Sequence, residues 1–338
     1  VLAVVDSVGM GNQWTREIRD RAAMATGLSE DQLVIATTHT HAGPDFMGLW
    51  GSVPDGYRNR VIDETVSSMQ MAWEAREPAT IAASATTADN NNRRGYDFTD
   101  DALTVLQAFD EDDVLMGTMV SFAAHPTVLS ESDKEISRDY AGYLVDRVEE
   151  QTGATALYFN GLIGDVSPKV PPGDYADNFE EADAYGTYLG DAAVSSLEDQ
   201  TPVSPGLVTS GIEWDMPVDN ILFNAAGQLG ILDYDFDQDG FEFSVTTQAV
   251  YARLGEQVQI VAFPGESLTR NGLPVKDMMQ APFKIALGNA GDALGYFVPS
   301  DEWQTGLNDD YEESISISKP AGDITQGVIN SMVVADEF

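Results

Sequence analysis

The order of apolar runs and amphipathic stretches predicts an α/β fold in which mixed β-sheets are flanked by helices. Through the first half, short β-branched runs alternate with helix-period stretches. In the second half strands follow one another with fewer helices between them, which argues for mixed rather than purely parallel sheets. In order, residues 2–5 read as a strand before a helix over 14–25, and 33–37 as a strand before a helix over 57–75. Strands follow at 81–86, 103–109 and 116–124, then a helix at 140–150 and a strand at 156–159. A helix over 182–197 leads into strand-rich sequence at 207–214, 243–253 and 258–263, closed by a helix over 267–279. No internal repeat or low-complexity tract interrupts the 338 residues, and nothing in the composition marks a linker, so the chain reads as a single domain over 1–338. Because it opens in mid-strand at Val1, the native N-terminus is expected to lie upstream, and any targeting signal with it.

Composition narrows the function classes. The chain carries 56 acidic and 17 basic residues, a formal net charge of -39. Self-repulsion on that scale is tolerated where salt screens it, since the Debye length falls to about 3 Å at molar salt. We therefore expect a halophile's protein, with an acidic secreted enzyme as the alternative. Nucleic acid and anionic membrane surfaces are disfavoured as partners, because neither approaches such a field without a basic patch. There is no cysteine, which removes disulfides and thiolate chemistry and leaves the redox compartment open. No apolar run is long enough to span a membrane, so stable insertion is not expected.

The three histidines, His39, His41 and His125, all lie where a hydrophobic run gives way to polar sequence. Such strand ends are where α/β proteins place ligands. On an extended segment, an i, i+2 pair points both rings to one face, which suits either two ligands or one ligand and a near neighbour. Catalytic zinc usually takes three protein ligands and keeps an open position. His39 and His125 are too few, and Glu266, which follows the run 258–263 through Pro264-Gly265, is the best carboxylate to join them.

Other segments are more ambiguous. Gly164-Asp165-Val166-Ser167-Pro168 contains a serine that a base or metal can activate, yet alone it reads as an ordinary turn or helix cap. Asn92-Arg93-Arg94 can orient a carbonyl or carboxylate, or simply pair with the acidic surface. The run containing Asp235, Asp237 and Asp239 resembles half a calcium loop, but Thr246 stands at the twelfth position and an acidic hairpin turn is the better reading. Tyr296 is by default a buried core tyrosine. Phe46, Met47, Leu49 and Trp50 can line an entrance or pack in the core.

Together these segments resemble the neutral (alkaline, non-lysosomal) ceramidases. Thr38 to Pro44 is similar to the family's THTHSGP segment, Asn92-Arg93 to its asparagine-arginine motif, and Phe122 to Thr127 to FAxHPT. Ile136 to Tyr143 resembles ISGDxxGY, Gly164 to Pro168 resembles GDVSP, and Phe263 to Glu266 resembles FPGE. Gly295-Tyr296 with Asp301-Glu302-Trp303 falls where the family has a late tyrosine and an acidic segment. Several motifs in one order are specific where each alone is not. Arg138 departs from the usual glycine and Lys169 from the usual asparagine, and residues 289–294 match poorly.

The resemblance implies one catalytic Zn2+ held by His39, His125, Glu266 and Tyr296. Ser167 would be the nucleophile, or the group that acts with metal-bound water. His41 would stabilise the oxyanion from beside the metal and Arg93 would contact substrate. It further implies a hydrolase of linear amide bonds acting on an N-acylated, ceramide-like lipid, on a ceramidase-like catalytic domain without the opening strands or the C-terminal immunoglobulin-like domain of full ceramidases. Two alternatives stay open: a zinc hydrolase of the same fold acting on an ester or small acylated amine, and a non-catalytic metal-binding protein.

Overall fold

A computed structural model describes residues 1–130, 132–240, 242–304 and 311–336. Two mixed sheets form its middle. In the first, strands lie in the order Thr201–Val203, Thr80–Thr87, Ala102–Phe109, Leu115–Phe122, Thr155–Asn160. All neighbours there are antiparallel except the last pair, which is parallel and joined through the helix Asp139–Thr152. In the second, Leu207–Pro217, Glu242–Leu254, Val258–Ala262 and Phe283–Leu287 follow one another, with Phe236–Asp239 also paired to Glu242–Leu254. Only the final pair is parallel, and the helix Thr269–Met278 makes its crossover. A third parallel pair, Leu2–Val5 with Val34–Thr37, is joined by the helix Asn12–Thr26.

Parallel neighbours require a long return connection, so the pairing itself demands each of these helices. It also fixes where the chemistry-bearing segments fall. The loops that follow Val34–Thr37, Leu115–Phe122, Thr155–Asn160 and Val258–Ala262 carry, in turn, His39 and His41, His125, Asp165 and Ser167, and Glu266.

Period-2 alternation gives each sheet two buried faces. Ala83 and Leu106 of the first sheet meet Val250, Ile260 and Ile285 of the second in a shared core. On its other face the first sheet packs Val105, Val120 and Tyr158 against Tyr140, Leu144, Tyr185 and Leu189 of the helices Asp139–Thr152 and Asn178–Ser196. The second sheet packs Val245, Tyr251 and Val261 against Val275, Ile329 and Met332 of the helices Thr269–Met278 and Ala321–Ala335. The result is four layers, helix, sheet, sheet and helix, as expected of mixed sheets flanked by helices. Among the described residues no helix is long and apolar enough to cross a membrane.

Besides the single turn Tyr311–Ser314, two helices escape a reading by periodicity. Ala321–Ala335 contains Gly322 and Gly327 among many β-branched residues, so propensity disfavours a helix there and tertiary burial of Ile329, Met332 and Val333 decides it. Ile221–Gln228 is only eight residues long and carries apolar side chains inward and outward, too short a run for periodicity to resolve; Asn220 starts it by accepting from the amides of Leu222 and Phe223. The segment with Asp235, Asp237 and Asp239 forms a hairpin, with Asp237 opposite Ser244 and Asp239 opposite Glu242, in agreement with the acidic-turn reading.

Two buried aspartates make stability depend on pH. Asp139 accepts from the amides of Leu129 and Tyr140, and Asp292 from the Ala293 amide and the Thr247 hydroxyl. Burial outweighs these bonds and pushes both carboxyls up to about 7. Since the folded state holds these protons more tightly than the unfolded chain, their stabilising contribution is complete below about pH 4 and is lost as pH rises through about 7. The unfolding free energy in molar salt, where general self-repulsion is screened, should therefore fall between pH 5 and pH 8 by an amount on the order of a few kcal/mol, and the melting temperature with it. A flat or rising profile would show that these two carboxyls ionise normally.

Candidate active site

The site begins at three strand ends. Beyond Val34–Thr37 the chain turns sharply, with His39 in the left-handed region at φ 59°. The Asn160 side-chain amide holds that turn by donating to the carbonyls of Thr37 and Thr38, at 3.1 and 2.7 Å. The Nδ1 atom of buried His39 bonds to the Val8 carbonyl. His125 is equally buried; its amide donates to the Val166 carbonyl at 2.9 Å and its Nδ1 lies 3.2 Å from the Ile163 carbonyl. His41, half-buried, is tied by its amide to the Pro126 carbonyl.

The three Nε2 atoms converge. They are separated by 2.9 Å between His39 and His125, 3.0 Å between His41 and His125, and 3.3 Å between His41 and His39. A carbonyl only accepts, so Nδ1 of both His39 and His125 carries the proton; when both rings are neutral, as ligands to a metal must be, both Nε2 atoms present lone pairs. Two lone pairs at 2.9 Å repel, and the single N–H that His41 can offer cannot satisfy both. Burial first, then the neighbouring His39, holds the His41 imidazole down to about 3 and that of His125 well below its ordinary value, so both are neutral at neutral pH. Glu266 adds a buried carboxylate oxygen, Oε2, that has no hydrogen-bond partner and lies 3.3 Å from His39 Nε2 and 3.7 Å from His125 Nδ1. Burial pushes that carboxyl up, but His39, His41 and Arg93 together bring it below its usual value.

Convergent lone pairs beside an unpartnered carboxylate oxygen are what a cation needs. Tetrahedral zinc with N ligands at about 2.0–2.1 Å separates those nitrogens by roughly 3.3–3.4 Å, close to the spacing here. Among the described residues, His39, His41 and His125 are the group whose ligand atoms lie near enough to share an ion. The donor set therefore fits zinc.

Glu266 and Tyr296 reach the site together. Glu266–Ser267 runs parallel to Tyr296–Phe297 with Glu266 opposite Tyr296, and the Glu266 amide donates to the Gly295 carbonyl at 2.9 Å. Gly295 is required there, because its φ is 77° and a Cβ would stand 2.0 Å from the Ile315 carbonyl oxygen. Tyr296 is buried, and its ring stacks with that of His125 at 6.3 Å. Burial, then Glu266, raises its hydroxyl well above the ordinary tyrosine value. Arg93 hydrogen-bonds Tyr296, donates to the Gly164 carbonyl at 2.5 Å and lies 3.7 Å from Glu312. Arg94 serves structure, pairing with Glu313 at 3.0 Å.

Ser167 lies on the short strand Val166–Pro168, antiparallel to Asn90–Asn92. The residue before it supplies the carbonyl that holds His125, but the hydroxyl itself faces the Asn91 carbonyl at 3.5 Å. The structure brings Ser167 to the backbone of the site, with its Oγ turned towards the neighbouring strand. The aspartate of the same segment does more than a turn requires. Asp165 is fully buried; Oδ1 accepts from the Thr269 amide and hydroxyl, both at 2.7 Å, and Oδ2 from Asn92 Nδ2 at 2.8 Å. A Cβ on Gly164 would lie 2.6 Å from the Glu266 carbonyl oxygen, so only glycine lets this loop rest against the one bearing Glu266.

Beside the histidines is a cavity of about 410 Å³ lined by Val8, His41, Pro44, Trp50, Ser52 and Val53 among others. Of the apolar residues after the histidine pair, Phe46 and Met47 are buried in the core, Leu49 packs against it, and only Trp50 faces the cavity, 5.9 Å from the His41 ring. The two departures from the ceramidase motifs are both ion-paired, Arg138 to Asp146 at 2.8 Å and Lys169 to Asp89 at 2.9 Å.

The order and pairing of the chain's strands and helices give a ceramidase-like α/β architecture. Solved structures that share it include a neutral ceramidase from Pseudomonas aeruginosa, with TM-score 0.82 and 17% identity over 98% of this chain and 65% of that one. Another is a ceramidase complexed with C2, with TM-score 0.80 and 16% identity over 98% and 66%. The chain thus spans just under two thirds of the length of each. No protein-family model and no curated protein matches the sequence.

Proposed function

We propose that the chain is a zinc-dependent amidohydrolase that cleaves the amide bond of an N-acylated, lipid-like substrate. The observation that carries this reading is the convergence of three imidazole Nε2 atoms beside a carboxylate oxygen without a donor. His39 and His125, whose Nδ1 atoms are locked on carbonyls, would hold the ion with Glu266, and Tyr296 would complete the set. Bound there, zinc supplies Lewis-acid polarisation of the amide carbonyl. His41 approaches from the cavity side and is the only histidine lining the cavity, which suits it to meet the carbonyl oxygen as negative charge develops. Arg93 orients the Tyr296 hydroxyl and faces substrate. Rotation about the Cα–Cβ bond of Ser167 would turn its Oγ from the Asn91 carbonyl towards the scissile carbon. Attack then forms the acyl C–O bond, the C–N bond breaks, the serine proton passes to the leaving amine, and water releases the acid.

The test pairs metal content by elemental mass spectrometry with turnover of a panel of N-acyl and O-acyl substrates. Ser167→Ala should keep one zinc per chain and lose at least about 10²-fold in amide turnover. Unchanged turnover in that variant would remove the serine from the mechanism. Preference for O-acyl or short N-acyl substrates would instead favour an esterase or small-amide hydrolase, and zinc without any turnover a binding protein.

A further inference from the structure

We propose that the outward face of the helix Ile221–Gln228 and the turn after it form a docking surface for a zwitterionic lipid interface, joined through Asp233 to the loop that lines the His41 cavity. The choice of a lipid as occupant rests on the amidohydrolase reading above.

Inward, this helix buries Phe223 in the core of the second sheet. Outward it leaves Ile221 80%, Leu222 68% and Leu229 75% exposed, with exposed Ala225 among them. At helical spacing these four fall within about 100° of one another around the axis, so they make one apolar face. Ile231, 53% exposed, extends it. Water-facing leucine and isoleucine are unremarkable singly; contiguous on one face, they mark a surface meant to be covered.

The chain that follows this face is tied to the loop lining the cavity. Beyond Ile231 the chain is fastened to the loop after the histidine pair: the Asp233 amide donates to the Met47 carbonyl at 2.7 Å, and Ser52 Oγ donates to Asp233 Oδ2 at 2.8 Å. Ser52 and Trp50 line the cavity with His41, and Trp50 is itself 51% exposed. A lipid surface held against residues 221–231 would therefore lie next to the loop that carries Trp50 and Ser52.

Charge selects the kind of surface. Residues 219–240 include five aspartates and neither lysine nor arginine. Anionic lipid would be repelled, whereas the outermost trimethylammonium groups of phosphatidylcholine complement the flanking carboxylates.

The experiment is co-sedimentation of the full chain with phosphatidylcholine vesicles, alone or doped with phosphatidylserine, beside the variants Leu222→Asp, Leu229→Asp and, near the C-terminal end of the helix Asn12–Thr26, Met24→Asp. All three positions are exposed, so the fold tolerates the charge. Wild type should partition onto phosphatidylcholine and bind less when phosphatidylserine is added. Each leucine variant should lose about tenfold or more in partition coefficient while Met24→Asp keeps the wild-type value. Wild type left in the supernatant, leucine variants that sediment like wild type, or an equal loss in Met24→Asp would overturn the proposal. So would light scattering that shows a dimer split by the leucine variants without any vesicle binding, which would make a second copy the occupant. Sedimentation needs neither metal nor turnover, so it reads the surface independently of the zinc assay.

Discussion

His39→Ala is expected to lose its metal and its hydrolytic activity together. The physical reason lies in how the imidazole is held. Its Nδ1 is engaged by the Val8 carbonyl, the left-handed turn is pinned through Asn160, and the ring has no freedom to point its lone pair anywhere but at Nε2 of His125. Such preorganisation makes affinity depend on each member. Changing merely a partner of a metal ligand typically costs about 10–100-fold in affinity, and deleting the ligand should exceed that. Polarisation of a carbonyl by a bound ion contributes several kcal/mol to the transition state, so turnover should fall by about 10³-fold or more. Elemental mass spectrometry and amide turnover on the same preparation check both, and one zinc per chain with wild-type turnover in His39→Ala would overturn the assignment.

The layers of this fold were legible because sequence period and burial agree. The strands Val34–Thr37, Leu115–Phe122 and Val258–Ala262 are apolar runs that buried sheets require, and the polar residues just beyond them announce where each strand stops. Histidine and glutamate at those stops could be singled out for the same reason. That their side chains meet at one point depends on three parallel pairings and their registers, a long-range property that no local window contains. The turn Gly164 to Pro168 shows the limit from the other side. Aspartate before a serine and a proline has every local reason to be a turn residue, and its burial against Thr269 and Asn92, 104 and 73 residues away in sequence, is visible only in three dimensions. Likewise, an apolar helix face reads in sequence as a face packed on the core, so residues 221–231 pass unnoticed until their exposure is seen.

Asp165→Ala should be the most destabilising change near the site, and it tests packing where His39→Ala tests the metal. Three donors converge on this carboxylate: the first amide of the helix Thr269–Met278, the Thr269 hydroxyl and the Asn92 side chain; the Asp165 carbonyl also receives the Arg93 amide at 2.7 Å. One residue thereby joins the loop bearing Ser167, the segment bearing Arg93 and the helix that begins three residues after Glu266. Truncation leaves those donors buried and unpaired. At roughly 1.5–3 kcal/mol for each hydrogen bond to a charged group, partly recovered by relaxation and entering water, the loss should be about 3–5 kcal/mol. That is a large share of the 5–15 kcal/mol by which proteins are ordinarily stable. Asp165→Asn should be milder, since its oxygen still accepts from Thr269, but its amide then confronts that of Asn92. In thermal or urea unfolding, alanine should therefore rank below asparagine and both below wild type. Turnover should fall as well, by about 10²-fold for a displacement near 1 Å between the loops, and zinc affinity should weaken with it, because the Ile163 and Val166 carbonyls that hold His125 lie in the same loop as Asp165 while only His39 keeps its separate anchor on Val8. If Asp165→Ala unfolds with wild type, the three segments are held by packing alone and the carboxylate is incidental to the geometry of the site.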